Sequence, residues 1–231
     1  MIYTFGDGYA TGHIWPEWPQ ILQALLPTEK VINISAIGAG AEWLTTKFTE
    51  IVDDLDNDTV IIQWNSMPRF DKLVQDQHWL SIVDNDPTYH FNLHKENWWL
   101  SSGSQQEIIK HYHDNYVQSV QRSTRLKVYQ TLVEQALSNK RCRWTFTSTE
   151  DQETYSQQQR FLLTRYNQIQ PGPLVHFYFL KEVLAPNVNL AFDPVLLDYL
   201  QTRIEQHLWQ AYDPDKDSIW QNIVESCKKL Y

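Results

Sequence analysis

The chain opens with short apolar runs that alternate with amphipathic segments. The runs at 2–5, 31–34 and 59–64 have the length of strands, and the third is apolar on both faces, as in a strand buried between two helix layers. Between them, apolar side chains recur every three or four residues over 16–26 and 39–55, which predicts two helices. Two successive β-α-β units predict a parallel sheet with right-handed crossovers, and therefore an α/β fold.

The pattern changes after the third predicted strand. Residues 66–104 are polar and aromatic by turns without sustained periodicity, so we expect an irregular, aromatic-rich insertion. Its rings need a surface to pack on, whereas a disordered linker would be poor in aromatic residues. A capping-box pattern at Ser104 then predicts a long helix, whose apolar stripe continues to about Asn139. A fourth strand is predicted over 141–147, where large apolar and polar residues alternate.

The C-terminal part of the chain is predicted to be helical. A Pro-Gly-Pro break precedes it, and Pro186 is expected to end the first of its helices. Since no repeat or linker composition divides the chain, we expect one α/β domain over 1–186 and a helical appendage over 187–231 that packs on it. The predicted helices cover 174–184, 194–211 and 217–230.

Composition limits the classes of partner. The formal net charge of −9 and the lack of a basic cluster argue against nucleic acid, because phosphate binding depends on Lys and Arg. The two cysteines, Cys142 and Cys227, form no disulfide framework, which is typical of a reducing compartment. The N-terminus shows no secretory signal, and no run approaches the ~18 apolar residues of a membrane span. We therefore expect a soluble, cytoplasmic protein.

Neither a cofactor nor a metal site is expected. The acidic run at 53–58 has two interpretations, a cation site or the solvated end of a helix, and we favour the second. The pairs His90 with His94 and His111 with His113 lack the cysteine or carboxylate context of known zinc motifs.

Gly6-Asp7-Gly8 directly follows the first predicted strand. The segment from Tyr3 to Ala10 resembles the opening block of the SGNH (GDSL-type) hydrolases, in which a serine nucleophile follows Gly-Asp at the end of the first strand. Gly8 stands at the position of that serine, so it keeps the backbone N–H of an oxyanion hole and lacks the hydroxyl. Because Asp-Gly is also a common turn dipeptide, an ordinary turn remains an alternative.

Two further segments resemble the second and third blocks of the same family. Asn33 ends the second predicted strand, and Gly38 follows at the spacing of the glycine that donates its N–H to the oxyanion hole. The third block normally contains Gly-x-Asn-Asp, and here it is replaced by a run of Gln63, Trp and Asn65 that precedes Pro and Arg69. This variant is similar to that of phage-encoded members. The resemblance implies that Gln63 or Asn65 donates an amide N–H to an oxyanion, and that Arg69 either pairs with an anionic ligand or has a structural role.

The fourth block of the family, Asp-x-x-His-Pro, matches in position only. Asn167 and Gln170 stand where the catalytic aspartate and histidine are expected, and a proline and a helix carrying His176 follow. Glutamine cannot take a proton as an imidazole does, and asparagine cannot stabilise an imidazolium as a carboxylate does. The positions of nucleophile, base and orienting acid are therefore all changed.

The resemblance implies a three-layer, flavodoxin-like fold whose pocket has lost its serine-esterase chemistry. We expect binding or assembly, with a carbohydrate, an acyl-ester-like ligand or another protein as the partner, and self-association through the C-terminal helices stays open. A phage-encoded protein would act in an infected host cell or a virion. The expected pocket residues are Asp7, Gly8, Gly38, Gln63, Asn65, Arg69 and His176.

The alternative is an active esterase, deacetylase or group transferase with a rearranged site. His176 would then replace the lost base, or Asp7 would act as base or nucleophile. Each residue also has a structural interpretation, since the family's aspartate usually supports the turn and a histidine among apolar neighbours is often part of a core.

Overall fold

The computed structural model describes most of the chain at the level of backbone and side chains. The residues that it describes are 1–12, 15–64, 69–75, 78–83, 90–92, 119–148, 172–206 and 215–231. Among them, no helix combines the length and the apolar content needed to cross a membrane.

Four parallel strands form the central sheet, and three antiparallel strands form a separate one. The parallel strands lie in the order β2-β1-β3-β7, and the antiparallel strands in the order β4-β5-β6. This architecture confirms the predicted α/β class with a parallel sheet. The strands are β1 (Ile2–Gly6), β2 (Val31–Ser35), β3 (Thr59–Trp64), β4 (Arg69–Gln75), β5 (His78–Val83), β6 (His90–Asn92) and β7 (Arg143–Ser148).

Helices cover both faces of the parallel sheet. They are α1 (Trp18–Leu25), α2 (Ala41–Thr49), α3 (Ser119–Ser138), α4 (Pro173–Tyr178), α5 (Pro194–Gln206) and α6 (Lys216–Leu230). Because successive side chains of a strand point to opposite faces, Ile2 of β1 joins a core with α1, α4, α5 and α6, while Phe5 joins a second core with α2 and α3. The molecule therefore has the three layers of a flavodoxin-like fold.

The two C-terminal helices contribute to the first of these cores. Leu200 of α5 is fully buried, and Trp220 and Cys227 of α6 are buried beside α1. Because they share one apolar core with the strands, these helices stabilise the α/β domain directly. The predicted boundary at residue 186 stays a prediction.

The insertion differs from the sequence-based expectation. We expected an irregular segment over 66–104, and the residues described there are strands β4, β5 and β6, paired antiparallel. The strands are short and do not alternate strictly, so periodicity does not reveal them. Their stability comes from pairing with one another, and strand preference depends strongly on such neighbours. The predicted start of the long helix at Ser104 lies outside the described residues.

Two predicted helix ends were also wrong. The helix expected over 39–55 ends at Thr49 and is followed by a short 3-10 turn at Val52–Asp54. Aspartates at this end oppose the helix dipole, which favours cations at a C-terminus. The helix expected to stop at Pro186 continues to Asn187 after a π-helical segment, Phe179–Leu184. Proline has no N–H to donate, so one α-helical hydrogen bond is lost at Pro186. The wider π-helical turns lie directly before this position.

The apolar stripe of α3 is only partly buried. Val133 and Leu137 are buried in the second core, whereas Val128 and Leu132 are 50% and 52% exposed. The sequence-based prediction placed Val128, Leu132 and Leu137 on one apolar stripe, and of these only Leu137 is buried. The buried positions described in this helix are Gln130, Val133 and Leu137, spaced by three and four residues, so the buried face differs from the predicted stripe.

Candidate functional site

The candidate site lies at the carboxyl ends of the parallel strands. Strand β1 has β2 on one side and β3 on the other, so the strand order reverses beside it, and open α/β sheets bind ligands at such a point. Asp7 and Gly8 follow Gly6, the last residue of β1, and Gly38 follows β2 at the same edge. The parallel register therefore brings the first two sequence blocks to adjacent loops.

Asp7 stabilises the turn after β1. Its side chain is 6% exposed, and Oδ1 accepts hydrogen bonds from the Tyr9 N–H at 3.2 Å and from Gln63 Nε2 at 2.8 Å. The Asp7 carbonyl also accepts the N–H groups of Ala10 and Thr11, at 2.9 and 3.0 Å. A carboxylate with these partners is an acceptor in a fixed turn, which is the structural interpretation of Asp7.

Gln63 connects this turn to the first helix. The side chain is fully buried, donates through Nε2 to Asp7, and accepts through Oε1 from Trp18 Nε1 at 2.9 Å. The amide expected to contact an oxyanion therefore lies in a buried chain of hydrogen bonds from α1 through β3 to the turn. The hydrogen bond of Trp18 was not identified from the sequence, since a tryptophan in an apolar stripe predicts only a core position.

The two glycines of the first block differ in their surroundings. A Cβ at Gly6 would lie 2.7 Å from Ala10 Cβ and 3.2 Å from Gln63 Cβ, which leaves no room for a side chain. Gly8 is partly exposed. The strand end is thus tightly packed, while Gly8, two residues further on, is accessible to solvent.

The loop after β2 contacts the loop after β1. Asn33 Nδ2 donates to the Ala10 carbonyl at 2.9 Å. A Cβ at Gly12 would lie 2.7 Å from Ile37 Cδ1, so these two residues are in close contact. Gly38 has a φ of +84°, a left-handed conformation that glycine adopts without strain. The structure therefore brings the first and second blocks together.

His176 reaches the same region from α4. It is fully buried, and its ring lies 6.4 Å from the ring of Tyr9, the residue after Gly8, with an interplanar angle of 53°. Gly172, at φ +68°, precedes α4. This contact places α4 beside the turn that follows β1.

Other expected site residues are not placed beside these groups. Arg69 begins β4, where its backbone pairs with Val83 of β5. Three predicted residues, Asn65, Asn167 and Gln170, lie outside the described part of the chain. For the described residues, the site thus contains Asp7, Gly8, Gly38, Gln63 and His176.

A buried carboxylate that was missed from the sequence supports the first loop. Glu17 Oε1 accepts the Gly12 N–H at 2.7 Å, and burial raises the pKa of this carboxyl above its ordinary value of 4.5. Lys216 of α6 acts in the opposite direction on this pKa, and its Nζ lies 5.3 Å from the ring of Trp15. Trp15 in turn contacts Trp220 edge-on, with ring centroids 6.2 Å apart. Helix α6 therefore holds the loop beside the candidate site.

The Glu17→Gln variant is expected to be more stable than the wild type at about pH 7. Because burial raises the pKa of Glu17, its contribution to stability is complete below the unfolded pKa and is lost as the pH rises through the folded pKa. Glutamine keeps an acceptor for the Gly12 N–H and carries no charge to bury. Thermal unfolding across this pH range should show a difference in Tm that disappears as the pH falls below the unfolded pKa.

The control for this measurement is Glu182→Gln, at an exposed position of the π-helical segment. Its difference in Tm should not follow the same pH dependence. A lower Tm for Glu17→Gln at about pH 7 would contradict the prediction, because attraction to Lys216 would then outweigh the cost of burial.

Comparison with known proteins gives a structural similarity to a bacterial protein. No protein-family model matches the sequence, and no curated protein matches it. The crystal structure of protein YxiM from Bacillus subtilis is similar to this chain with a TM-score of 0.37 and 12% sequence identity. The similarity covers 100% of this chain and 56% of YxiM, so the chain spans little more than half the length of that protein. The strand order, the parallel register and the two helix layers establish the α/β fold independently of this likeness.

Proposed function

We propose that this protein has the pocket of an SGNH-type hydrolase without its serine chemistry, and that it acts by binding or assembly. The observation that carries the proposal is the turn after β1. Gly8 stands where the nucleophile is expected, and the neighbouring carboxylate of Asp7 is buried in hydrogen bonds to Tyr9 and Gln63. Gly8 has no side-chain oxygen, and the buried carboxylate of Asp7 acts as a hydrogen-bond acceptor within the turn.

The size of the catalytic loss supports this proposal. Removal of one member of a catalytic triad costs about 10⁴–10⁶ in turnover, and the remaining rate comes from binding and the oxyanion hole. Here the sequence changes all three positions, at Gly8, Asn167 and Gln170. Loss of nucleophile, base and orienting acid together removes the mechanism rather than tuning it.

The donors that remain favour a ligand with acceptor oxygens. The backbone N–H groups of Gly8 and Gly38 belong to neighbouring loops at the strand ends, the position at which an oxyanion hole donates to an acyl oxygen. Acyl-ester-like ligands and acetylated carbohydrates carry such oxygens. A protein partner remains part of the proposal because the insertion is rich in aromatic residues, which are frequent at interfaces. A phage or virion role rests on the sequence resemblance of the third block.

Glycine-selective isotope labelling tests the proposed pocket. The chain has seven glycines, so a protein labelled with ¹⁵N only at glycine gives one resolvable amide signal for each. Titration with glucose pentaacetate is expected to move the Gly8 and Gly38 signals in a saturable manner and to leave that of Gly6, packed against Ala10, almost unchanged. Seven unchanged signals at millimolar probe would contradict binding of an acetyl ester at this site.

An esterase assay on the same protein tests for catalysis. The contact between His176 and Tyr9 favours the alternative of a rearranged active site, because it places an imidazole one residue from Gly8. If that alternative held, p-nitrophenyl acetate would be turned over by the wild type, and the rate would fall in His176→Gln or Asp7→Asn. The proposed function predicts no turnover above that of the free probe in solution for any of the three proteins.

A further inference from the structure

Helix α2 begins directly after the loop that carries Gly38. The residue immediately before the helix has no side chain with which to cap it. The position is Gly40, whereas Ser, Thr, Asp or Asn normally accepts the N–H of the second or third helical residue. Here the third helical residue, Trp43, donates its N–H to Oδ2 of Asp71 at 3.0 Å. The cap is therefore supplied by a residue of β4, distant in sequence.

The carboxylate of Asp71 fits this position only because Gly40 is a glycine. A Cβ at Gly40 would lie 2.6 and 2.7 Å from the two carboxylate oxygens of Asp71. The φ of Gly40 is −106°, which any residue adopts, so the backbone conformation does not require glycine. Asp71 is 3% exposed, and its negative charge lies at the positive end of the α2 dipole.

Asp71 also joins three elements around this loop. Its N–H donates to Glu42 Oε2 of α2 at 3.4 Å, and Glu42 forms an ion pair with Arg125 of α3. Burial raises the pKa of Glu42, and the guanidinium of Arg125 opposes this shift. Burial also raises the pKa of Tyr129 on α3, with a smaller contribution from the charge of Glu42. The β4 strand, α2 and α3 thus meet where α2 begins.

We infer that Asp71 is a positioning residue of the candidate site: by capping α2 from the insertion, it fixes the loop from Gly38 to Gly40 and so orients the Gly38 N–H. The role of that N–H in ligand binding rests on the proposed function, whereas the capping of α2 does not. The inference also assigns a task to the insertion, whose first strand supplies the cap.

Moving the carboxylate along the chain tests the capping role. Asp71→Ala is expected to lower the Tm by about 2–8 °C. Adding Gly40→Asp to this variant should recover most of the loss in Tm, because the new side chain caps the helix and the space of the Asp71 carboxylate is vacant. Gly40→Asp alone should lower the Tm, since two carboxylates would compete for one position. The control Asp198→Ala, at an exposed position of α5, should change the Tm by less than about 1 °C.

The glycine spectrum tests whether capping positions the site. In Asp71→Ala the Gly38 and Gly40 signals should shift, and the affinity for glucose pentaacetate should fall about tenfold. In the variant that also carries Gly40→Asp, the Gly38 signal and the affinity should return to their wild-type values. A lower Tm with an unchanged Gly38 signal would overturn the inference, because Asp71 would then stabilise the fold without orienting the loop. Failure of Gly40→Asp to restore the signal would overturn it as well.

Two further comparisons keep the result interpretable. Asp71→Asn retains an acceptor oxygen and loses the charge, so if Asp71→Ala does not fold, the asparagine variant should show the same changes at smaller amplitude. An unshifted Gly38 signal in that variant would overturn the inference. If the wild type does not respond to the probe, the proposed function fails, while the Gly38 and Gly40 signals of the variants still decide the role of Asp71.

Discussion

The free energy of unfolding of the Gln63→Leu variant is expected to fall by about 2–4 kcal/mol. Leucine fills a similar volume in a fully buried position but removes both hydrogen bonds of the amide. Trp18 Nε1 then lacks its acceptor, and Asp7 loses one donor to its buried carboxylate. A buried donor without a partner keeps its full desolvation cost, and a charged acceptor loses more than a neutral one. Urea denaturation with unchanged m-value measures the loss.

A double-mutant cycle identifies the part of this loss that belongs to the hydrogen bond. Trp18→Phe removes the same donor from the other side, so the losses of Trp18→Phe and Gln63→Leu should be less than additive by about 1 kcal/mol. Gln221→Leu, at an exposed position of α6, is the matched control and should change stability by less than about 0.5 kcal/mol. Strictly additive losses would show that the Trp18 to Gln63 bond does not contribute to stability.

The Gly6→Ala variant is expected to lose about 1–3 kcal/mol of stability. Its new methyl group would lie 2.7 Å from Ala10 Cβ, and neither atom belongs to a side chain that can rotate away. The strand end or the turn must therefore shift, and Asp7 and Gly8 shift with it. We expect the Gly8 amide signal of the ¹⁵N-glycine spectrum to move in this variant, together with the fall in Tm.

The compensating variant tests the cause of this loss. Gly6→Ala combined with Ala10→Gly removes the contact atom, so it should be more stable than the sum of the single changes indicates. Gly172→Ala is an informative control because no atom of the described residues lies within 4 Å of the added Cβ, while the positive φ of +68° opposes the substitution. If the double variant shows no recovery, the loss in Gly6→Ala comes from the backbone rather than from contact with Ala10.

Both experiments test the rigidity of the turn that follows β1. In the structure, the turn is held by Gln63 from the sheet, by Asn33 from the neighbouring strand and by Glu17 from the start of α1. A turn fixed from three directions costs little to organise when a ligand binds, which favours binding through backbone donors. Rigidity of this kind supports the proposed binding function at Gly8 without requiring a catalytic side chain.

The sequence by itself determined the parallel strands of the central sheet and the helices that alternate with them. Apolar runs separated by amphipathic segments predict β-α-β units, and the strand at Thr59–Trp64 was predicted with the bounds that the structure has. These properties depend on local pattern and residue type, which tertiary contacts do not alter.

Only the tertiary structure decided which groups meet. Trp18, Gln63 and Asp7 lie far apart in the sequence, and their hydrogen bonds exist because α1 packs on the sheet beside β3. Likewise, nothing near Gly40 indicates that Asp71 supplies its missing cap. Hydrogen bonds between distant residues follow from packing, and the local pattern that predicts strands and helices carries no information about them.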